Sequence, residues 1–226
     1  MDAAALVGLF RQRADDVAEP HLFATDWLLG IFSEAEKEAC LRARLIWDEG
    51  LIGSTFLNVA LDAGKDSYAL DTHIDRIDRV TFVPTGQGLE RRALELTGAD
   101  AIADRRRCRN AAGRPEMVAQ QGQTLQVWPV PSADYPGTLR ISCYRFPLFP
   151  MEDGSDEPEI PEEHHEGLVD WALYRAWSSK DSENDDPARA MAALAAFEER
   201  FGRRPSADVL RRHRERRRVT TRFNRL

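Results

Sequence analysis

At 226 residues, the chain is long enough for one domain with an insertion or for two small domains. Hydrophobic residues make up 42% of it and charged residues 31%, with a mean hydropathy of −0.49, so a soluble protein with a buried core and a well-solvated surface is expected. The formal charge of −7 is unevenly spread. Residues 203–226 hold ten arginines against Asp208 and Glu215, a net of +8, which leaves −15 on the preceding 202 residues. An acidic body with a basic end indicates that the two meet different surroundings. Asp2, Arg11, Arg13, Asp15 and Asp16 interrupt any apolar core of a signal peptide at the start. The apolar run Leu28-Leu29-Gly30-Ile31-Phe32 is far short of the roughly 20 residues of a membrane span. Cys40, Cys108 and Cys143 are odd in number and widely separated, which fits a reducing cytoplasm and suggests neither a disulfide framework nor a metal motif.

In chain order, residues 3–17 place Leu6, Leu9, Phe10 and Val17 near one helical face, ended by Pro20. Thr25 caps a short helix through Trp27, Leu28, Leu29 and Phe32. Ser33-Glu34-Ala35-Glu36 has the spacing of a capping box, predicting that a further helix opens there and runs to about Asp48. The texture changes between Thr55 and Phe146. Phe56-Leu57-Asn58-Val59 and Arg79-Val80-Thr81-Phe82-Val83 are rich in β-branched and aromatic residues, as strands are. A short helix is predicted from Thr97 to about Arg106. Leu125, Val127 and Trp128 form one later strand. In another, Leu139, Ile141 and Cys143 alternate with Arg140, Ser142 and Tyr144. Tyr135-Pro136-Gly137 between them predicts a type II turn and a hairpin joining the two.

Residues 151–160 form an acidic linker. Pro161, Glu162 and Glu163 then suit a helix start, and Val169, Ala172, Leu173, Ala176 and Trp177 recur at helical spacing. A polar loop from Lys180 to Asp186 leads to Pro187, and the next helix carries Ala190, Leu194, Phe197 and Phe201 on one stripe up to Gly202. The fold expected is α+β: a helical bundle made from both ends of the chain, with an inserted β-rich domain and an extended C-terminal arm. The divisions are residues 1–53, 54–150, 151–202 and 203–226.

Candidate chemistry is sparse. Glu162-Glu163-His164-His165-Glu166 looks like a metal cluster, but adjacent helical residues point about 100° apart, so the two histidines cannot face one ion. Gly86-Gln87-Gly88 lacks the remainder of either phosphate-loop pattern, and His73 has no visible catalytic partner. Cys108 sits among Arg105, Arg106, Arg107 and Arg109, which reads best as a solvated basic loop. The terminal arginines admit three readings: an arm that docks on an acidic partner, a solvated tail, or a nucleic-acid contact. Arginine's bidentate fork and the apolar anchors Val209, Leu210, Phe223 and Leu226 favour the arm, and the scarcity of aromatics disfavours base stacking.

Several segments, taken in order, resemble a known family: AAALV at 3–7, SEAEKEA at 33–39, IDRV at 77–80, Gly113-Arg114-Pro115, LQVWPVP at 125–131 and IPEEHHEGLVDWALYRA at 160–176. They are similar to the head-to-tail adaptor (connector, or head-completion) proteins of tailed bacteriophages, over residues 3–202. The resemblance implies a non-enzymatic virion protein without cofactor or bound metal, made in the host bacterial cytoplasm and placed at the head–tail junction. It implies a ring, commonly of twelve copies, that joins the portal to the tail and extends the DNA channel. The implied partners are the portal protein, tail nozzle or tail-tube proteins, other copies of the chain, and double-stranded DNA that passes without sequence-specific binding. No membrane is involved. An arm reaching into the portal is also implied, which would put docking contacts at Arg203, Arg204, Val209, Leu210, Arg211, Arg212, Arg216, Arg217, Arg218, Phe223 and Leu226. The alternative is a nucleic-acid-binding packaging or regulatory factor that uses the same Arg-rich tail. A third reading is a small hydrolase built on His164 and His165.

Overall fold

A computed structural model of the chain describes residues 1–50, 55–85, 90–109, 111–178 and 186–214. Its elements begin with α1 (Ala3–Ala14), α2 (Thr25–Ala43), β1 (Ile46–Asp48), β2 (Asn58–Ala60), β3 (Ser67–Ala69), β4 (Ile74–Pro84), β5 (Arg92–Ala93) and β6 (Glu95–Leu96). They continue with α3 (Ala99–Cys108), β7 (Ala112–Gly113), β8 (Met117–Gln121), β9 (Thr124–Trp128), β10 (Val130–Pro131), β11 (Gly137–Arg145), α4 (His165–Trp177), α5 (Pro187–Phe201) and α6 (Ala207–Arg214). The molecule is thus mixed α+β, as the sequence predicts. It divides into two compact units. One takes Met1–Ile46 and Phe146–Pro205, and the other takes Trp47–Arg145 and the described residues after Pro205.

In the first unit, helix α4 is buried on almost every side, through His165, Gly167, Leu168, Val169, Asp170, Trp171, Ala172, Leu173 and Ala176. Burial on most of its sides puts α4 at the centre, where it meets α1, α2 and α5. Phe197 and Phe201 of α5 pack on it, with the Phe197 ring 5.0 Å from Trp171. Gly167 makes room for Phe201, because a Cβ there would stand 2.7 Å from the ring. Arg42 of α2 closes the group. Its guanidinium lies over Trp171 and Phe197, 5.4 and 5.0 Å from their centroids, pairs with Glu38 at 2.8 Å and donates to the Gly202 carbonyl. The Arg42 side chain is only 3% exposed, so both its stem and its charge are enclosed. Asp170, also buried, accepts from Arg13 of α1 and pairs with Arg200 of α5. Burial pushes its carboxyl above the ordinary range, outweighing the pull of Arg200 and Arg13.

Two helix expectations are corrected. Val17 lies beyond α1 and is 67% exposed, because α1 stops at Ala14 with Asp15 in the left-handed region. Ser33-Glu34-Ala35-Glu36 does not open a helix. Helix α2 begins eight residues earlier and ends at Ala43, with β1 following. Ser33 Oγ donates back to the Leu29 carbonyl at 3.0 Å and accepts the Met151 N–H at 2.8 Å. The Glu36 carboxylate accepts the Ile160 N–H at 3.1 Å. The two side chains that read as a cap are instead buried acceptors for the acidic linker, whose ends Met151 and Ile160 enter the helical core. The linker in turn caps α1: Asp156 and Gly154 carbonyls accept the Ala3 and Ala4 N–H groups, which no helical residue could satisfy.

In the second unit, one sheet has the order β1-β11-β4-β5, with β2 also pairing to β11, and another has the order β3-β9-β8-β6. Strands β4 and β11 run antiparallel from Gly137↔Pro84 to Arg145↔Ile74. Leu139, Ile141 and Cys143 point inward with no exposure, against Leu57, Val80, Phe82, Leu125 and Val127 from both sheets. The buried Gln120 amide joins them: its Oε1 accepts the Ile77 N–H and its Nε2 donates to the Asp75 carbonyl. The predicted hairpin between β9 and β11 is absent, since the two strands lie in different sheets. Strand β9 instead pairs with β8 through Gly122, whose φ of +60° at the first position of a two-residue loop is the type II′ pattern. Gly137 opens β11 without a positive φ. Glycine is required there by close approach, since a Cβ would stand 2.6 Å from Phe82 Cε2 and from the Val83 carbonyl oxygen.

The linker attachment is directly testable. Ser33→Ala strands the buried Met151 N–H and should lower the unfolding free energy of the full chain by about 1–3 kcal/mol, read as a lower urea midpoint at unchanged slope. A midpoint equal to wild type would mean that the linker is not held by Ser33.

Candidate functional site

The Arg-rich end divides into three parts. Arg203 and Arg204 follow α5 and pair with Glu198 and Glu38 at 3.7 and 3.5 Å. Residues 207–214 form α6, a helix where extended chain was expected, opened by Ser206 Oγ accepting the Val209 N–H. On α6, Arg211 and Arg212 both reach Asp208, at 2.7 and 2.8 Å, while their side chains remain 69% and 74% exposed. Val209 is exposed and Leu210 half-buried. Arg216, Arg217, Arg218, Phe223 and Leu226 lie outside the described residues. The charge split is sharp: residues 1–46 and 146–205 sum to −12, residues 47–145 to −1, and residues 206–226 to +6.

The histidines find structural partners. His165 is buried, with Nδ1 3.1 Å from the Met1 carbonyl and Nε2 2.8 Å from the Ile160 carbonyl, so both ring nitrogens are engaged by backbone. His164 meets the edge of the Phe201 ring. Among the described residues no three His, Cys, Asp or Glu side chains gather as metal ligands. His73 pairs with Asp71 at 2.7 Å at the start of β4. The His73 N–H and ring hold the Asp71 carboxyl below its ordinary range. Gly86-Gln87-Gly88 lies outside the described residues. No described helix is long and apolar enough to cross a membrane.

The basic end of α3 carries more structure than its composition suggests. Arg106 pairs with Asp66 at 3.0 Å, and Arg105 lies over the Trp128 ring, 5.8 Å from its centroid. The thiol beside them, Cys108, is exposed, whereas Cys40 and Cys143 are buried. Burial, with Asp48 adding repulsion, pushes the Cys143 thiol up to about 12. In the native full chain, therefore, one cysteine should react rapidly with a maleimide and map to Cys108, the other two following only on denaturation. Rapid native labelling of Cys143 would contradict the closed β core.

Comparison with curated proteins gave no match. The family model described as SU10 adaptor protein matches residues 1–223, taking in the helices, the sheets and most of the Arg-rich end. A match of that extent makes the protein a member of the SU10 adaptor protein family of phage structural adaptors.

Proposed function

We propose that the chain is the subunit of a ring, of twelve copies, that joins the portal of the phage capsid to the tail and extends the DNA channel. The observation that carries this reading is the family match from residue 1 to residue 223. The charge distribution supports it. A net of −12 on residues 1–46 and 146–205 disfavours adhesion to phosphate, so DNA passes without being gripped, while +6 on residues 206–226 suits an anchor on an acidic protein surface. Copies in a closed ring meet through heterologous faces.

In this reading, the helices of residues 1–53 and 151–202 form a bundle with residues 54–150 inserted as a β-rich domain that faces the tail nozzle or tail tube. Residues 203–226 form the arm that docks on the portal. The alternative, nucleic-acid binding by the Arg-rich end, fits less well, because residues 203–226 hold a single Phe, Tyr or Trp, Phe223, and so offer little for bases to stack on.

Electron microscopy of the phage's own portal mixed with the full chain should show an added ring. The chain ending at Gly202 should leave the portal bare. Bare portals with the full chain would contradict the adaptor reading, and rings from the shortened chain would contradict the docking arm alone.

A further inference from the structure

Between strands β5, β6 and β8 and the end of α3 lies a cavity of about 500 Å³ lined by Arg92, Arg105, Arg109, Met117 and Trp128. A neighbouring cavity of about 480 Å³ shares Arg109, Glu116 and Trp128 with it. Arg92, Arg105 and Arg109 have no carboxylate partner among the described residues. Trp128 is only 7% exposed, yet its indole Nε1–H meets no acceptor. Buried indole N–H groups ordinarily find one. Three exposed guanidinium groups without a carboxylate partner in one concave site, one of them over the Trp128 ring, call for a ligand that brings acceptors.

The charge balance narrows the ligand class. Glu95 and Glu116 also line the first cavity, so three arginines face two glutamates, a net of +1. That accommodates one or two carboxylates. It is poorly matched to duplex DNA, which carries one charge per about 1.7 Å on a convex surface. Trp128, Met117 and Leu94 floor the cavity with only 5–7% of their surface exposed, and Ala93 is exposed at its rim, so a fitting ligand puts carboxylates in the cavity and has room for an apolar group at the rim.

The chain itself presents such a group. Phe149 is 74% exposed, more than any other large hydrophobic residue described. Glu152 and Asp153 follow it and are exposed. Their backbone is fixed: Glu159 accepts the Leu148 and Phe149 N–H groups, and Asp156 accepts those of Glu152 and Asp153 at 2.7 Å. Those bonds hold the Asp156 carboxyl below its ordinary range. A loop already held in shape loses little conformational entropy on docking.

We propose that the Trp128 cavity of one copy receives the loop at residues 149–153 of a second copy. The Glu152 and Asp153 carboxylates meet Arg92, Arg105 and Arg109, and the Phe149 ring covers the rim of the cavity at Ala93. A contact between unlike faces is compatible with the head-to-tail repeat that a closed ring requires. The proposal rests on the ring reading above and deepens it by naming the subunit contact.

A charge-swap experiment on the full chain tests it, with ring occupancy on the portal read by electron microscopy and self-association in solution read by sedimentation. R105E/R109E alone, and E152K/D153K alone, should each weaken self-association roughly tenfold or more and leave rings incomplete. The four substitutions together should restore both. All six positions of change and contact at the surface, Arg105, Arg109, Phe149, Glu152, Asp153 and Arg92, are exposed, so the variants should keep the wild-type circular dichroism. Phe149→Ala gives a neutral check and should weaken association without altering charge. Unchanged rings and association in R105E/R109E overturn the proposal. So does loss without rescue by the swap, which would assign the cavity another occupant. If wild type leaves the portal bare but still self-associates, and the swap pattern holds in solution, the contact stands and the adaptor reading fails.

Discussion

The helical unit depends on how two buried backbone N–H groups are satisfied. The chain leaves that unit after α2 and returns at Phe146, and the returning segment must bring α4 into the centre of the helices. In doing so it buries the N–H groups of Met151 and Ile160 among apolar side chains. An unmet buried N–H costs about 1–3 kcal/mol, a large part of a typical net stability. Helix α2 supplies the acceptors through Ser33 and Glu36, and His165 engages the Ile160 carbonyl from α4. Once the segment is fastened, its carbonyls cap α1, and α4 can collect α1, α2 and α5 around itself.

This arrangement leaves the acidic linker ordered but charged on its outside. Its apolar ends, Met151 and Ile160, face the core, and Asp156 turns back to its own backbone. Glu152, Asp153 and Glu157 remain exposed. The same device that closes the helical unit therefore presents a rigid acidic loop, with Phe149 beside it. In the proposed assembly that loop is the contact between copies. In that proposed assembly the acidic residues would serve twice, keeping phosphate at a distance and choosing a basic pocket as partner.

Much of this was legible in the residues, where local chemistry alone decides. Helix α5 is one case: Asp186 accepts from Ala188 and Arg189, Pro187 opens the helix, Phe197 and Phe201 are buried, and Gly202 stops it at φ +82°. The alternation of Leu139, Ile141 and Cys143 is another. Long-range partners decided the rest. Ser33 and Glu36 have cap spacing, but nothing local shows that a segment more than a hundred residues away needs their oxygens. Tyr135-Pro136-Gly137 resembles a turn, yet Gly137 answers to the Phe82 ring across the sheet. The arginines of α3 read as solvated surface, because the indole N–H beside them gains meaning only when β8, β9 and α3 come together. The linker's ordering could have been suspected from Met151 and Ile160, two apolar residues bracketing an acidic stretch.

The most direct test of the central claim, that the protein is a structural adaptor between portal and tail, is a cryo-electron microscopy reconstruction of the tail vertex of the phage that encodes it. The account predicts a ring of copies between portal and tail into which the helical unit and the β-rich unit each fit as described. A complete vertex whose density holds neither unit, in particles that lack this chain by mass spectrometry, would contradict it.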